Sequence, residues 1–131
     1  MTGWVARAAD GASEEQLARL QAVCPIPLPA AYRALLKESN GAEAGLSVDP
    51  LWLVVHDSDA VVEVATTGSF RSHFPGYFLF GGSGGGDAFA FATGGDAPGA
   101  VVAIDLTDAE LTQSVRPVAD SFDALLALID T

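Results

Sequence analysis

Apolar positions in the first third of the chain recur at helical spacing. Leu17, Leu20 and Val23 follow the string Ser13-Glu14-Glu15-Gln16, which has the form of a capping box: Ser13 accepts from the third helical N–H and Gln16 reaches back. A helix is predicted to start there and to stop before Pro25, Pro27 and Pro29, since proline lacks the N–H and crowds the preceding turn. Pro29 suits the first turn of a second helix whose stripe is Tyr32, Leu35 and Leu36. Asn40-Gly41 supplies a left-handed residue to end it.

The pattern then changes. Leu51 to Val55 is a compact apolar run, read as a strand with both faces partly covered. Asp57-Ser58-Asp59 can cap a third helix carrying Val61, Val64 and Ala65, although β-branched Val61, Val62 and Val64 serve a strand equally well. From Gly76 onward short β patterns follow one another: Tyr77 to Phe80, then Asp87 to Ala92 with Phe89 and Phe91 alternating with alanines, then Val101 to Ile104. Val115 to Val118 is placed at an edge because Pro117 cannot donate to a central ladder. Consecutive strands of this kind predict an antiparallel meander. Phe122, Leu125, Leu126 and Ile129 mark a closing helix, with Asp120 as N-cap and Asp123 in the first turn. The expected fold class is α+β: a mainly antiparallel sheet of about four to six strands, with two N-terminal helices and a C-terminal helix packed on it. At 131 residues the whole chain reads as one domain, 1–131, with 1–12 as a candidate flexible arm in which Trp4 either docks back or anchors another chain. Trp52, in its apolar run, reads as core before interface.

Composition narrows the function classes. Half of the residues are apolar, as in a chain that buries a core. Seventeen carboxylates against six Lys and Arg give a formal charge of -11. That balance argues against direct nucleic-acid binding, which requires clustered cations. The excess is uneven: from Tyr77 onward Asp87, Asp96, Asp105, Asp108, Glu110, Asp120, Asp123 and Asp130 face only Arg116. A field of one sign steers a basic partner inward, and it also keeps a protein soluble. The single cysteine, Cys24, permits no intramolecular disulfide and reads as a buried thiol. No apolar stretch has signal-peptide or membrane-span length, so cytoplasmic residence and no membrane partner are the expectation.

Three constellations invite chemistry and none sustains it. Gly81-Gly82-Ser83-Gly84-Gly85-Gly86-Asp87 resembles a phosphate loop, but no Lys-Ser or Lys-Thr follows and the loop leads into a strand. Ser83 fits the bare nucleophile-elbow pattern without the helix that should follow. The loop reads instead as a strand connection, with Asp87 bonding the loop's own N–H groups. His56, Asp57, Asp59 and His73 lack the spacing of a metal or acid–base site. The expectation is a non-enzymatic protein with no catalytic residue, cofactor or metal.

Four blocks in order resemble the SUKH superfamily, which includes the yeast cell-wall-assembly-regulator domain. They are Leu28-Pro29-Ala30-Ala31-Tyr32-Arg33-Ala34-Leu35-Leu36 followed by Ser39-Asn40-Gly41; Phe78-Leu79-Phe80-Gly81 with Gly84-Gly85-Gly86-Asp87-Ala88-Phe89; Val101 to Asp105; and Ala119-Asp120-Ser121-Phe122-Asp123-Ala124-Leu125-Leu126. The stretch from Trp52 to Phe74 does not align closely with the family pattern. The resemblance implies an α+β fold without known catalysis. It also implies, for bacterial members, an immunity protein that neutralises a toxin domain by binding it. The alternative is a regulatory or scaffold domain not linked to a toxin; neither reading sets an oligomeric state. The partner would be a protein, in the immunity reading a basic toxin domain. The residues expected to meet it are Asp57, Asp59, Ser83, Asp87, Asp105, Asp108 and Glu110.

Overall fold

The structure, a computed structural model, describes residues 4–67, 70, 74–95, 98–106 and 115–129. In chain order these form β1 (Trp4–Arg7), α1 (Glu14–Val23), α2 (Ala30–Glu38), β2 (Ala42–Gly45), β3 (Trp52–Val55), α3 (Ser58–Thr67), β4 (Tyr77–Gly82), β5 (Asp87–Ala92), β6 (Val101–Asp105), β7 (Val115–Ala119) and α4 (Phe122–Leu126). The strands make one seven-stranded sheet in the order β1-β2-β3-β4-β5-β6-β7, and every neighbouring pair is antiparallel. The fold is thus the α+β meander expected, with more strands than the four to six anticipated. No described helix is long and apolar enough to cross a membrane.

The caps explain where the helices begin. Ser13 Oγ accepts from Gln16 N at 3.1 Å while Gln16 Oε1 accepts from Ser13 N at 2.9 Å, so the capping box of α1 is complete. Helix α2 starts one residue later than Pro29, which is its N-cap with extended ψ of 137° and not part of the first turn. That helix ends at an extended Ser39, and Gly41, at φ +124°, lies beyond the cap. Ser121, not Asp120, caps α4, its hydroxyl accepting from Ala124 N at 3.1 Å. Ile129 falls outside α4 and instead bridges to Leu46.

Strand alternation sorts side chains between two faces. Leu53, Val55, Phe89, Phe91, Val101 and Ala103 turn to the helices and join Leu17, Leu20, Tyr32, Leu35, Val61 and Phe122 in the main core. Ala90, Val102 and Ile104 turn the other way, where Phe74 closes a smaller cluster with Phe70, Tyr77 and Val115 against it. Cys24 is buried, and burial pushes its thiol pKa up, against the weaker opposing effect of a backbone hydrogen bond from Ile26. Pro117 lies on edge strand β7, as its missing donor requires.

The segment read as a flexible arm is tied down wherever the structure describes it. Trp4 to Arg7 pairs with β2, and Trp4 packs against the main core, so its ring docks on the domain. Ala8 N donates to Gly41 O at 2.9 Å, Asn40 N to Asp10 O at 2.9 Å and Ala12 N to Leu36 O at 2.7 Å. Gly11 passes so close to the end of α2 that a Cβ would collide with the Lys37 carbonyl. The ordering is made by backbone bonds to residues some thirty positions away, which leave no local sequence pattern.

Candidate partner-binding surface

The sequence-selected carboxylates fall in two places. Asp57 and Asp59 stand at the start of α3. There Asp57 Oδ1 accepts from Ala60 N at 2.9 Å and Asn40 Oδ1 accepts from Ser58 N at 2.8 Å. Asp59 Oδ2 accepts from Gln16 Nε2 at 3.1 Å, linking α3 to α1. These acids begin a helix whose first N–H groups are engaged, and the cap predicted from Asp57-Ser58-Asp59 is formed in part by Asn40 from another element.

His56 precedes this turn. Its ring is near Gly82, where an added Cβ would lie 3.8 Å from Nε2. Burial lowers the His56 pKa below the ordinary 6.5, and the nearby Asp57 charge opposes this only in part. The proton therefore binds the unfolded chain more readily than the folded one. The resulting stability is complete above about pH 6.5 and is lost as pH falls through that value toward the lower folded pKa. His56→Gln should lose less denaturant resistance than the parent between about pH 7.5 and about pH 5.5; equal losses would show that His56 does not titrate differently on folding. His73 lies outside the described residues, and among those described no group of three or more His, Cys, Asp or Glu is arranged to hold a metal ion.

The second place is the end of the sheet where β3 begins, β4 turns into β5 and β6 stops. Asp87 does not bond the loop's own N–H groups as expected. Ser83 Oγ does so, accepting from Gly85 N at 3.2 Å, while the Asp87 carboxylate accepts from Arg116 Nη2 at 3.1 Å. The same nitrogen lies 3.1 Å from Asp49 Oδ2. Asp105 is the cross-strand partner of Asp87, so like charges stand opposite one another and Arg116 offsets their repulsion. Asp108 and Glu110 lie outside the described residues.

Removing that cation should be felt. Arg116→Met keeps the apolar stem and is expected to cost about 1 kcal/mol near neutral pH, since the pair is only partly screened from water. The difference from the parent in denaturant midpoint should shrink as salt is added. A salt-independent cost would mean that the lost side chain acted by packing.

Exposed apolar side chains lie at the same end of the sheet. Val48, Leu51 and Leu106 are 36%, 62% and 50% exposed, and among the described residues the only other exposed large aliphatic is Val5 on β1. Leu106 N donates to Gly86 O at 2.9 Å, which places it beside the glycine turn. On the other side Gly84 approaches the Trp52 ring, an added Cβ there lying 3.8 Å from Cδ1. Trp52 Nε1 donates to Glu43 Oε1 at 3.2 Å, so this half-buried tryptophan is fixed at the margin and is not part of the main core. Leu51 holds φ of +73°, a left-handed conformation costly for a side chain with Cβ. Sequence reasoning selected Ser83, Asp87 and Asp105 here but missed Asp49 and the three aliphatics. The Asp49-Pro50 turn before the apolar run was the available signal.

A third feature is an open groove of about 710 Å³ between α3 and strands β1 to β3. Ala6, Ala42, Val54, Ala60 and Val64 line it, and Glu43, Asp57, Glu63 and Arg7 bring charge to it.

The four motif blocks of the sequence fall on α2, the β4–β5 hairpin, β6 and α4. Comparison with curated proteins gave no match. A sequence profile of the SMI1/KNR4 family (SUKH-1) matches residues 11–128, a span that takes in every described element except β1. The chain belongs to the SMI1/KNR4 family, SUKH-1.

Proposed function

We propose that this protein is a non-enzymatic binding module that neutralises a basic toxin domain by covering it, and that the sheet end bearing Leu51, Leu106, Asp87 and Asp105 is its contact surface. The observation that carries the reading is the gathering of exposed aliphatic side chains and carboxylates at one end of a chain with formal charge -11. Exposed apolar side chains supply contact area that water releases on binding. Carboxylates among them select a cationic surface and speed encounter. Family membership accords with an immunity-type or a regulatory role, and the charge favours the first, because a domain that handles nucleic acid carries cations for its phosphates.

The test is co-expression with neighbouring gene products, followed by rescue of growth when the candidate toxin domain is produced. Rescue is expected with the parent chain and should be lost with Leu51→Asp combined with Leu106→Asp, both exposed positions whose change leaves the core intact. Affinity for the recovered partner should fall with added salt, chiefly through a slower on-rate. Rescue that persists in the double variant would remove the sheet end from the interface, and absence of any neighbouring toxin would favour the regulatory role.

A further inference from the structure

We infer that the groove between α3 and strands β1 to β3 holds an extended segment of a partner protein carrying Arg or Lys beside apolar side chains. The inference rests on the reading that the chain binds protein and assigns it a second surface, separate from the sheet end.

Helix α3 presents two apolar faces. Val61 is fully buried in the main core, yet Ala60, Glu63, Val64 and Thr67 form a second stripe at helical spacing that lines the groove. That stripe runs about 10 Å along the helix. Opposite it the floor crosses three paired strands along the register row Ala6, Glu43 and Val54, with Ala42 of the neighbouring row at its border. Small residues on both sides leave the space of about 710 Å³. Its breadth across strands and length along a helix suit a run of residues more than a compact metabolite.

Charge identifies the occupant. Glu43, Asp57 and Glu63 stand at the groove against Arg7 as its one Arg or Lys. None of the three carboxylates forms an ion pair among the described residues; the pairs there join Arg33 and Lys37 to Glu14, and Arg116 to Asp49 and Asp87. Glu43 is oriented by the Trp52 indole and Asp57 by the α3 backbone, so two of the three acids are held in place before anything binds. A second copy of this chain, with the same charge of -11, is repelled, and so is a nucleic acid. A cationic segment gains on both counts, with its apolar side chains on the floor and its cations at the acids.

The test uses the full chain and a short peptide alternating arginine and leucine, with a glutamate and leucine counterpart as control, followed by amide chemical shifts. Shifts confined to Ala8, Val54, His56, Glu63 and their neighbours are expected with the arginine peptide, and none with the control. Ala6→Trp fills the groove from an exposed position without altering charge and should weaken binding by about tenfold or more. Glu43→Gln with Glu63→Gln should do the same. Asp120→Asn with Asp123→Asn removes equal charge elsewhere and should not. Shifts spread over the whole surface, equal weakening by both charge pairs, indifference to Ala6→Trp, or no binding of the arginine peptide would each overturn the inference. A partner recovered by co-expression that ignores the groove variants but responds to Leu51→Asp would leave the sheet-end reading standing without this one.

Discussion

Gly81→Ala is expected to cost about 3 kcal/mol of folding stability, although the residue needs no positive φ and sits in a strand. The reason is space between strands. The register of β4 against β5 shifts between Leu79 and Gly81, so that Phe80 is an extra residue and Gly81 faces Phe89. On its other side Gly81 pairs with Val55 of β3. A Cβ there would collide with the Val54 carbonyl oxygen and come within 3.3 Å of the Val54 carbonyl carbon and 3.5 Å of Val55 Cα. All are backbone atoms, so relief requires β3 and β4 to part where the sheet passes under the helices. Gly94, where an added Cβ would meet nothing within 4 Å beyond its chain neighbours, is the control; its alanine variant should stay within about 0.5 kcal/mol of the parent. Urea denaturation would show the Gly81→Ala midpoint lowered with its slope retained. An unchanged midpoint would mean the two strands are not this close.

Phe122→Ala should cost about 4 kcal/mol, the largest single loss anticipated. Phe122 is 1% exposed, and its ring meets Tyr32 at 5.3 Å, Phe80 at 5.8 Å and Phe91 at 6.1 Å between centroids, all inclined by 60° or more. Truncation therefore empties a site walled by three other rings from α2, β4 and β5, which cannot collapse without moving the sheet. Tyr32 shows the opposite case within the same cluster. Its hydroxyl is buried and has no hydrogen-bond partner among the described residues, and burial, followed by the nearby Cys24, pushes its pKa far above the ordinary value. Tyr32→Phe removes a desolvated polar atom and keeps the edge-to-face contacts, so it should be neutral or stabilising by up to about 1 kcal/mol. A clear loss in Tyr32→Phe, measured beside Phe122→Ala by the same denaturation, would show that the hydroxyl is bonded after all.

What could be read in advance followed from short-range rules. The capping box of α1, the stripe of α2, the alternation of β5 and the displacement of Pro117 to an edge each depend on residues within a few positions of one another. The ambiguity at Val61 to Val64 was resolved toward a helix because α3 packs against α1 and β4, contacts that outweigh the β preference of branched side chains. Strands β1 and β2 escaped notice because Trp-Val-Ala-Arg and Ala-Glu-Ala-Gly carry little alternation of large apolar residues. Their pairing comes from the backbone.

The sequence by itself determined the fold class, the family resemblance, the formal net charge and the principal helices and hairpin, because periodicity, caps and charge are local or additive properties. Only the tertiary structure decided that residues 4–12 are bound down, that glycine is demanded at 11 and 81, that one guanidinium nitrogen serves both Asp49 and Asp87, and that Leu51 and Leu106 lie at the same end of the sheet. Each of these depends on which distant backbone or side chain arrives at a given point, and spacing along the chain does not encode that arrival.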